Sequence, residues 1–242
     1  MREPLIESVE EPEESRKYEA VLRHIENGII DGSYRAGDSL PPERDLAASL
    51  NVGRSAVREA MRVLQTQGII EASTGRGGGT RVVPQQGDAL ARILRLYTAL
   101  HNTGMVDLIE TRVALERVSA AEAAMQASKA TLSNLNGVMA EMREANSVEA
   151  FNPLDTLFHV MVARAGRNGL IAELTVAIRE AVRRPILLAS LSMDDWTVFK
   201  ETLCQEHGGI LLAISSHQPD LAADRMEAHI RSAYATLKKT GM

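Results

Sequence analysis

The sequence predicts a mainly α protein in two parts, a small N-terminal unit ending in a β-hairpin and a larger all-helical bundle. Three observations predict it. Hydrophobic residues make up 45% of the chain but aromatic residues only 3%, so the core must be Leu, Ile, Val, Ala and Met, a composition suited to helices. Strand-like patterning is confined to a stretch around residues 69–83, where two β-branched runs flank a glycine-rich segment. Beyond residue 88, apolar residues recur at helical spacing between Gly, Asn and Pro breaks. At 242 residues, two domains are expected.

In the N-terminal unit, Val21, Leu22, Ile25 and Ile29 form a helical stripe over Ser15–Ile30, closed by Asp31-Gly32. The next stretch, SLPPERDLAASLNVGRSAVREAMRVLQTQGIIEASTGRGGGTR, divides into two helices around a tight turn. Pro42 suits the first helical position, where its missing N–H costs nothing, and Leu46, Ala47 and Leu50 supply one apolar face. Asn51 tolerates the left-handed turn conformation. Gly53 falls at the N-cap of the second helix, in which Val57, Ala60, Met61 and Leu64 make a core stripe. Arg54, Arg58 and Arg62 lie four apart on another face, placed to enter a DNA major groove. Ile69–Ser73 and Thr80–Val83 read as two strands around Thr74-Gly75-Arg76-Gly77-Gly78-Gly79, which completes a winged helix-turn-helix over residues 15–83.

The run LPPERDLA, NVGRSAVREAMRVLQTQGII and GRGGGT resembles the N-terminal domain of the GntR family of bacterial transcription regulators. The resemblance implies that Arg44, Arg54, Ser55 and Arg58 face operator DNA and that Gly75, Arg76 and Gly77 reach the minor groove from the wing. Gly53 departs from the hydroxyl residue that relatives often carry. Glycine caps a helix only a few tenths of a kcal/mol less well than serine, so the helix is kept while a phosphate contact is lost.

A formal net charge of −5 looks wrong for a DNA binder until it is divided along the chain. Residues 1–14 carry six glutamates against one arginine, and residues 35–83 carry seven arginines against five acidic residues. The acidity therefore describes an N-terminal arm, read as disordered over 1–14, and the helical half; it does not describe the DNA-facing unit. One cysteine, Cys204, excludes a disulfide framework and fits a reducing cytoplasm. No run approaches a membrane span, and the acidic N-terminus is not a signal peptide; a cytoplasmic protein with no membrane partner is expected.

Residues 84–87 read as a linker, and 88–242 as a bundle of six to seven helices, at about 88–101, 104–126, 130–146, 149–165, 169–192, 195–216 and 219–238. Within it, Asp155 and His159 are one turn apart on one face. His207 and His229 lie on the last two helices, about equally far from the turn at Pro219; if those helices are antiparallel, the two sit at nearly one level. Three imidazoles and one carboxylate can thus converge on a divalent transition metal: Zn, Ni, Co, Mn or Fe, with Zn taken first. His24, His101 and His217 lack such partners and read as structural or exposed. Cys204, one turn before His207, reads as a small buried hydrophobe.

This half is similar to the FCD ligand-binding domain that accompanies the winged helix in the FadR subfamily, in DTLFH, QEHGGIL and MEAHI. That resemblance implies metal binding by Asp155, His159, His207 and His229. It also implies that Arg112, in LIETRVALE, projects into the ligand cavity and clamps a carboxylate, a task suited to arginine's planar fork. From the residues alone, Glu116 is equally a surface salt-bridge partner of Arg112. Arg183 and Arg184 are further candidates for the clamp, and Asn168 is either cavity lining or a helix cap.

Three functions follow. The leading expectation is a homodimeric regulator, read as a repressor, that binds a palindromic operator and responds to a small carboxylate such as lactate or a sugar acid at the metal. The second is a regulator that senses the metal directly. The third is a metal-dependent hydrolase; against it stand the absence of an HExxH motif, a nucleophile elbow or a placed general base, and an enzyme would leave the winged unit unexplained, so no enzyme is expected.

Overall fold

The computed structural model describes residues 13–73, 79–83, 88–101 and 103–240. Within them run ten α-helices and one two-stranded sheet: α1 Glu13–Ile30, α2 Glu43–Ser49, α3 Arg54–Thr66, β1 Ile70–Ser73, β2 Gly79–Val82, α4 Asp88–Leu100, α5 Met105–Gln126, α6 Lys129–Glu144, α7 Val148–Ala165, α8 Gly169–Leu191, α9 Trp196–Ser215 and α10 Pro219–Leu237. The chain forms two compact units that divide at Gln86/Gly87. The expected linker 84–87, residues 1–12 of the expected arm, and Gly75, Arg76 and Gly77 of the wing lie outside the described residues. Glu13 and Glu14, assigned to the arm from the sequence, begin α1 instead.

The first unit is built around α3. Val57, Ala60, Met61 and Leu64 from its inner face meet Val21 and Ile25 of α1, Leu46 and Ala47 of α2, and Ile70 and Val82 of the hairpin. Asn51, at φ 51°, makes the left-handed turn between α2 and α3, and Gly53 is the N-cap of α3. Gly32 closes α1 at φ 82°, a conformation in which a side chain would be strained. Pro42 is the N-cap of α2, one position before the first helical residue expected for it. Its ψ of 144° is extended, and its carbonyl accepts from Asp45 and Leu46. The hairpin pairs Ile70 with Val82 and Ser73 with Gly79. Residues 38–40 add a short third rung, with Leu40 N–H donating to Thr80 O and Val82 N–H to Asp38 O. That rung has no signature in the sequence, because Asp38-Ser39-Leu40 has no β-branched residue.

In the second unit α5 is the central helix, packed against α7, α8, α9 and α10. It buries residues on every side, including Arg112 and Glu116, as a helix surrounded by others must. The core joins Val113, Ala120 and Ala123 of α5 to Leu135 and Met139 of α6, Phe158 and Val162 of α7, Ile210 and Ile214 of α9, and Met226 and Ile230 of α10. Side-chain caps start four helices: Ser128 on α6, Ser147 on α7, Asn168 on α8 and Asp195 on α9. Asn168 is therefore a cap, its Oδ1 accepting from Ile171 N–H. Among the described residues, no helix is long and apolar enough to cross a membrane.

Candidate metal centre and DNA-facing helix

On α3 the buried stripe fixes which edge faces outward. Arg54, Ser55, Arg58 and Arg62 are all exposed on it, and Arg44 is exposed on α2. Arg58 Nε lies 3.9 Å from Glu43, a long contact between two well-exposed groups that leaves the guanidinium available. Arg44 pairs with its neighbour Asp45 at 3.1 Å.

In the helical unit, α7 supplies Asp155 and His159 from one face, α9 supplies His207 and α10 supplies His229. One ligand atom from each of these four buried residues lies within 4.8 Å of the others. His159 Nε2 is 3.2 Å from His207 Nε2 and 3.3 Å from His229 Nε2, and Asp155 Oδ1 is 3.4 Å from His207 Nε2. Imidazole nitrogens that close must share a proton or a cation. Metal–nitrogen bonds of about 2.0–2.1 Å would set ligating nitrogens roughly 3.3–3.4 Å apart, so the spacing of His159 to each of the other two imidazoles suits ligands of one ion.

The outer nitrogens of two of the three imidazoles match the same chemistry, while His207 Nδ1 is buried without a hydrogen-bond partner among the described residues. His159 Nδ1–H donates to Glu116 Oε2, and His229 Nδ1–H donates to Glu206 Oε2 at 2.8 Å. Each carboxylate fixes the tautomer that leaves Nε2 free to ligate. Glu116 also accepts from Arg112 Nε at 2.8 Å, which makes a buried chain Arg112–Glu116–His159. Asp155 turns its second oxygen to Arg179, whose Nη2 also reaches Thr156 Oγ1 at 3.3 Å.

Protonation follows from burial. Desolvation lowers His159 to a pKa of about 4 even though Glu116 opposes it. His207 is also pushed well below its ordinary value, by desolvation and then by His229. Burial alone would raise the carboxyl groups of Asp155 and Glu116. Arg179 and the imidazoles hold Asp155, and Arg112 and His159 hold Glu116, far below the usual carboxylate range. At neutral pH His159 and His207 are therefore neutral and Asp155 is ionised, the forms that bind metal.

Beside this cluster is a cavity. Its polar wall includes Arg112, Asn152, Asp155, Arg179, Ser190 and His229, and its apolar wall includes Ile109, Phe151, Ile186, Trp196, Phe199, Leu203 and Leu237. Arg112 is in the wall and is not at the surface; the surface salt bridge allowed by the sequence is a buried one, with the two side chains 5% and 1% exposed. Arg183 is half exposed and pairs with Glu180 at 3.2 Å; with Arg184 it lines a second pocket that also includes Asn152, and neither arginine is in the wall of this cavity. The buried arginine of α8 is Arg179, one turn earlier, which sequence reasoning missed along with Glu206. Arg183 and Arg184 stand out in the sequence as an adjacent pair, whereas Arg179 has no local signal. Glu206 directly precedes His207 and was legible as a possible outer partner.

The remaining histidines are structural or exposed. His217, at φ 54°, bonds through Nδ1 to Ala124 O. His101 stacks on Tyr97, and His24 meets the edge of Tyr34. Cys204 is buried in the apolar core, where desolvation raises its thiol pKa.

A winged helix-turn-helix joined to a helical unit with its own polar cavity is the build of a one-component transcription regulator. Comparison with known families supplies the specific answer. Residues 17–82 match the model for bacterial regulatory proteins of the gntR family, and residues 107–232 match the FCD domain. The chain belongs to the GntR family of DNA-binding transcription regulators, in the branch that carries an FCD domain, and it is not an enzyme. Curated relatives include the Glc operon transcriptional activator of Escherichia coli K12, 26% identical and covering 88% of this chain and 86% of that protein. The Exu regulon transcriptional regulator of the same strain is 28% identical and covers 91% and 84%. Among solved structures, Streptococcus agalactiae GntR superposes with a TM-score of 0.63 at 25% identity, over 90% of this chain and 99% of that one.

Proposed function

We propose that this regulator binds a palindromic operator as a homodimer and is controlled by a small carboxylate bound at a metal centre in its helical unit. The observation that carries the proposal is the buried convergence of Asp155, His159, His207 and His229 beside a cavity that Arg112 enters. The four residues would hold a divalent transition metal, zinc being the ion proposed first. When bound, that ion would take a carboxylate oxygen as a further ligand beyond its four protein ligands, expanding its coordination, and Arg112 would hold the acid's other oxygen. The largely apolar far wall favours a short acid over a many-hydroxyl sugar acid, whose hydroxyls would be buried without partners. On α3, Arg54, Ser55 and Arg58 read the major groove, Arg44 approaches the backbone from α2, and the wing residues Gly75, Arg76 and Gly77 reach the minor groove. Dimerisation is supported by α4, where Ile93, Leu96, Tyr97 and Leu100 form an exposed apolar stripe at helical spacing. Repression relieved by the acid is the sign proposed here, although the Glc operon relative is named an activator.

The test is operator release measured by gel shift with lactate, with and without prior chelation. Release by lactate that needs bound metal supports the proposal. Release by metal alone would replace it with direct metal sensing.

Elemental analysis of the purified protein is expected to give about one divalent transition metal per chain. His207→Ala should strip it and lower the melting temperature, since an ion that binds only the folded state stabilises it by mass action. Wild-type protein without metal above background, before any chelator, would remove the centre.

Acid should act in the same direction on metal-free protein. His159 is held at a pKa of about 4 when folded against an ordinary value of 6.5, so the unfolded chain takes up protons first as the pH falls. Stability present above pH 6.5 is lost progressively toward pH 4, by up to about 1.4 kcal/mol per pH unit for each such buried imidazole. Melting temperatures of chelated protein that stay flat from pH 7.5 to 5 would contradict this.

A further inference from the structure

Arg179 is 3% exposed and lines the cavity. Its Nη2 is committed to Asp155 and Thr156, yet its Nε is buried without any hydrogen-bond partner among the described residues. A buried charged donor left unpaired is costly, and it is the kind of group a ligand completes. The charges around it point the same way. Arg112 and Arg179 balance Glu116 and Asp155, so the deeply buried ionised groups sum to zero before a divalent ion enters. Glu206, with a side chain 26% exposed, sits nearer solvent and is better screened. Loading the centre therefore leaves an excess of about two positive charges. The metal and Arg112 together take one carboxylate, and one positive charge then remains beside Arg179.

We propose that Arg179 is the second anion contact of the cavity and that the effector is a short dicarboxylate, one carboxylate on the metal and Arg112 and the other on Arg179. The assignment rests on the metal-carboxylate reading above. Metal loading also positions this contact: Asp155 offers Oδ1 toward the imidazoles and Oδ2 to Arg179, so one aspartate ties the ion to the guanidinium.

Malate and lactate test the idea, because they share the 2-hydroxy acid head and malate carries a second carboxylate. Trp196 is the only tryptophan and lies in the cavity wall, so ligand entry can be followed by its fluorescence. In zinc-loaded wild type, malate should bind at least tenfold tighter than lactate, with zinc retained after desalting. In Arg179→Gln, which keeps a donor for Asp155 but loses the charge, malate should weaken at least tenfold and lactate far less. If that variant does not fold, Arg179→Lys takes its place, keeping the charge and losing the fork, and malate should then weaken at least threefold. Equal affinities for the two acids in wild type would overturn the dicarboxylate assignment while leaving the metal-carboxylate reading intact. Binding of neither acid to zinc-loaded protein would overturn that reading and this inference with it. Zinc lost from Arg179→Gln, in step with malate affinity, would make Arg179 only a positioning residue for Asp155 and refute the contact.

Discussion

Arg58→Ala is expected to abolish operator binding while leaving the fold intact. The side chain is 60% exposed on the outward edge of α3, and its ion pair among the described residues is the 3.9 Å approach to Glu43, so its removal leaves the core unchanged. Ala56, Val57, Ala60, Met61 and Leu64, which anchor the helix, are untouched. An arginine bidentate to guanine carries about 1–3 kcal/mol of discrimination. A dimer makes the contact twice, so the loss is about 2–6 kcal/mol, roughly thirtyfold to twenty-thousandfold in affinity. A gel shift at fixed salt measures it, with circular dichroism as the control for folding. Wild-type affinity would take Arg58 off the reading surface and shift attention to Arg54 and Arg62 on the same edge.

The outward edge of α3 that carries Arg58 is legible in the sequence because the helix is defined by local information. A four-residue core stripe, Asn51 in the left-handed turn and Gly53 at the cap fix the helix and its outward edge without reference to the rest of the chain. The seven helices of the second unit were legible for the same reason, with ends displaced by at most two residues, because Gly166, Gly169 and Pro219 punctuate them. Legibility failed where a side chain's role depends on how helices rotate against one another. Arg179 and Arg183 are indistinguishable by composition, yet a difference of four residues on α8 puts one in the cavity wall and the other half in solvent. The orientation of α5 was equally hidden. A helix buried on every side has no polar face to read, so Arg112 and Glu116 looked like a surface pair when their partners lie inside the bundle. The histidines could be paired in advance because one turn, at Pro219, sets the levels of His207 and His229. No such short-range rule connects Glu116 to His159, 43 residues away.

That buried connection shapes what Arg112→Ala should do. Arg112 Nε donates to Glu116, and Glu116 accepts from His159 Nδ1, so the arginine supports the centre as well as facing the cavity. Removing it leaves Glu116 ionised, 1% exposed and without its main counter-charge. Breaking a buried pair in this way costs about 3–5 kcal/mol. For a unit of this size that is roughly 2–4 °C per kcal/mol, or about 6–20 °C in melting temperature. Metal affinity should fall about 10–100-fold, since Glu116 no longer has a fixed orientation in which to hold the His159 ring. Loss of acid response in this variant would therefore be uninformative alone. The double variant Arg112→Met with Glu116→Gln separates the roles: both charges are gone, the glutamine still accepts from His159, and stability and metal should largely return. What should not return is the response to lactate, because a ligand shifts an equilibrium only through its differential affinity for the two states, and the charge-assisted clamp on the carboxylate is missing. Arg112→Lys should be defective for the same reason, as a point ammonium cannot reproduce the fork. A double variant that keeps its metal and still releases operator at wild-type lactate concentrations would show that Arg112 serves Glu116 alone, and the carboxylate clamp would have to lie elsewhere in the cavity.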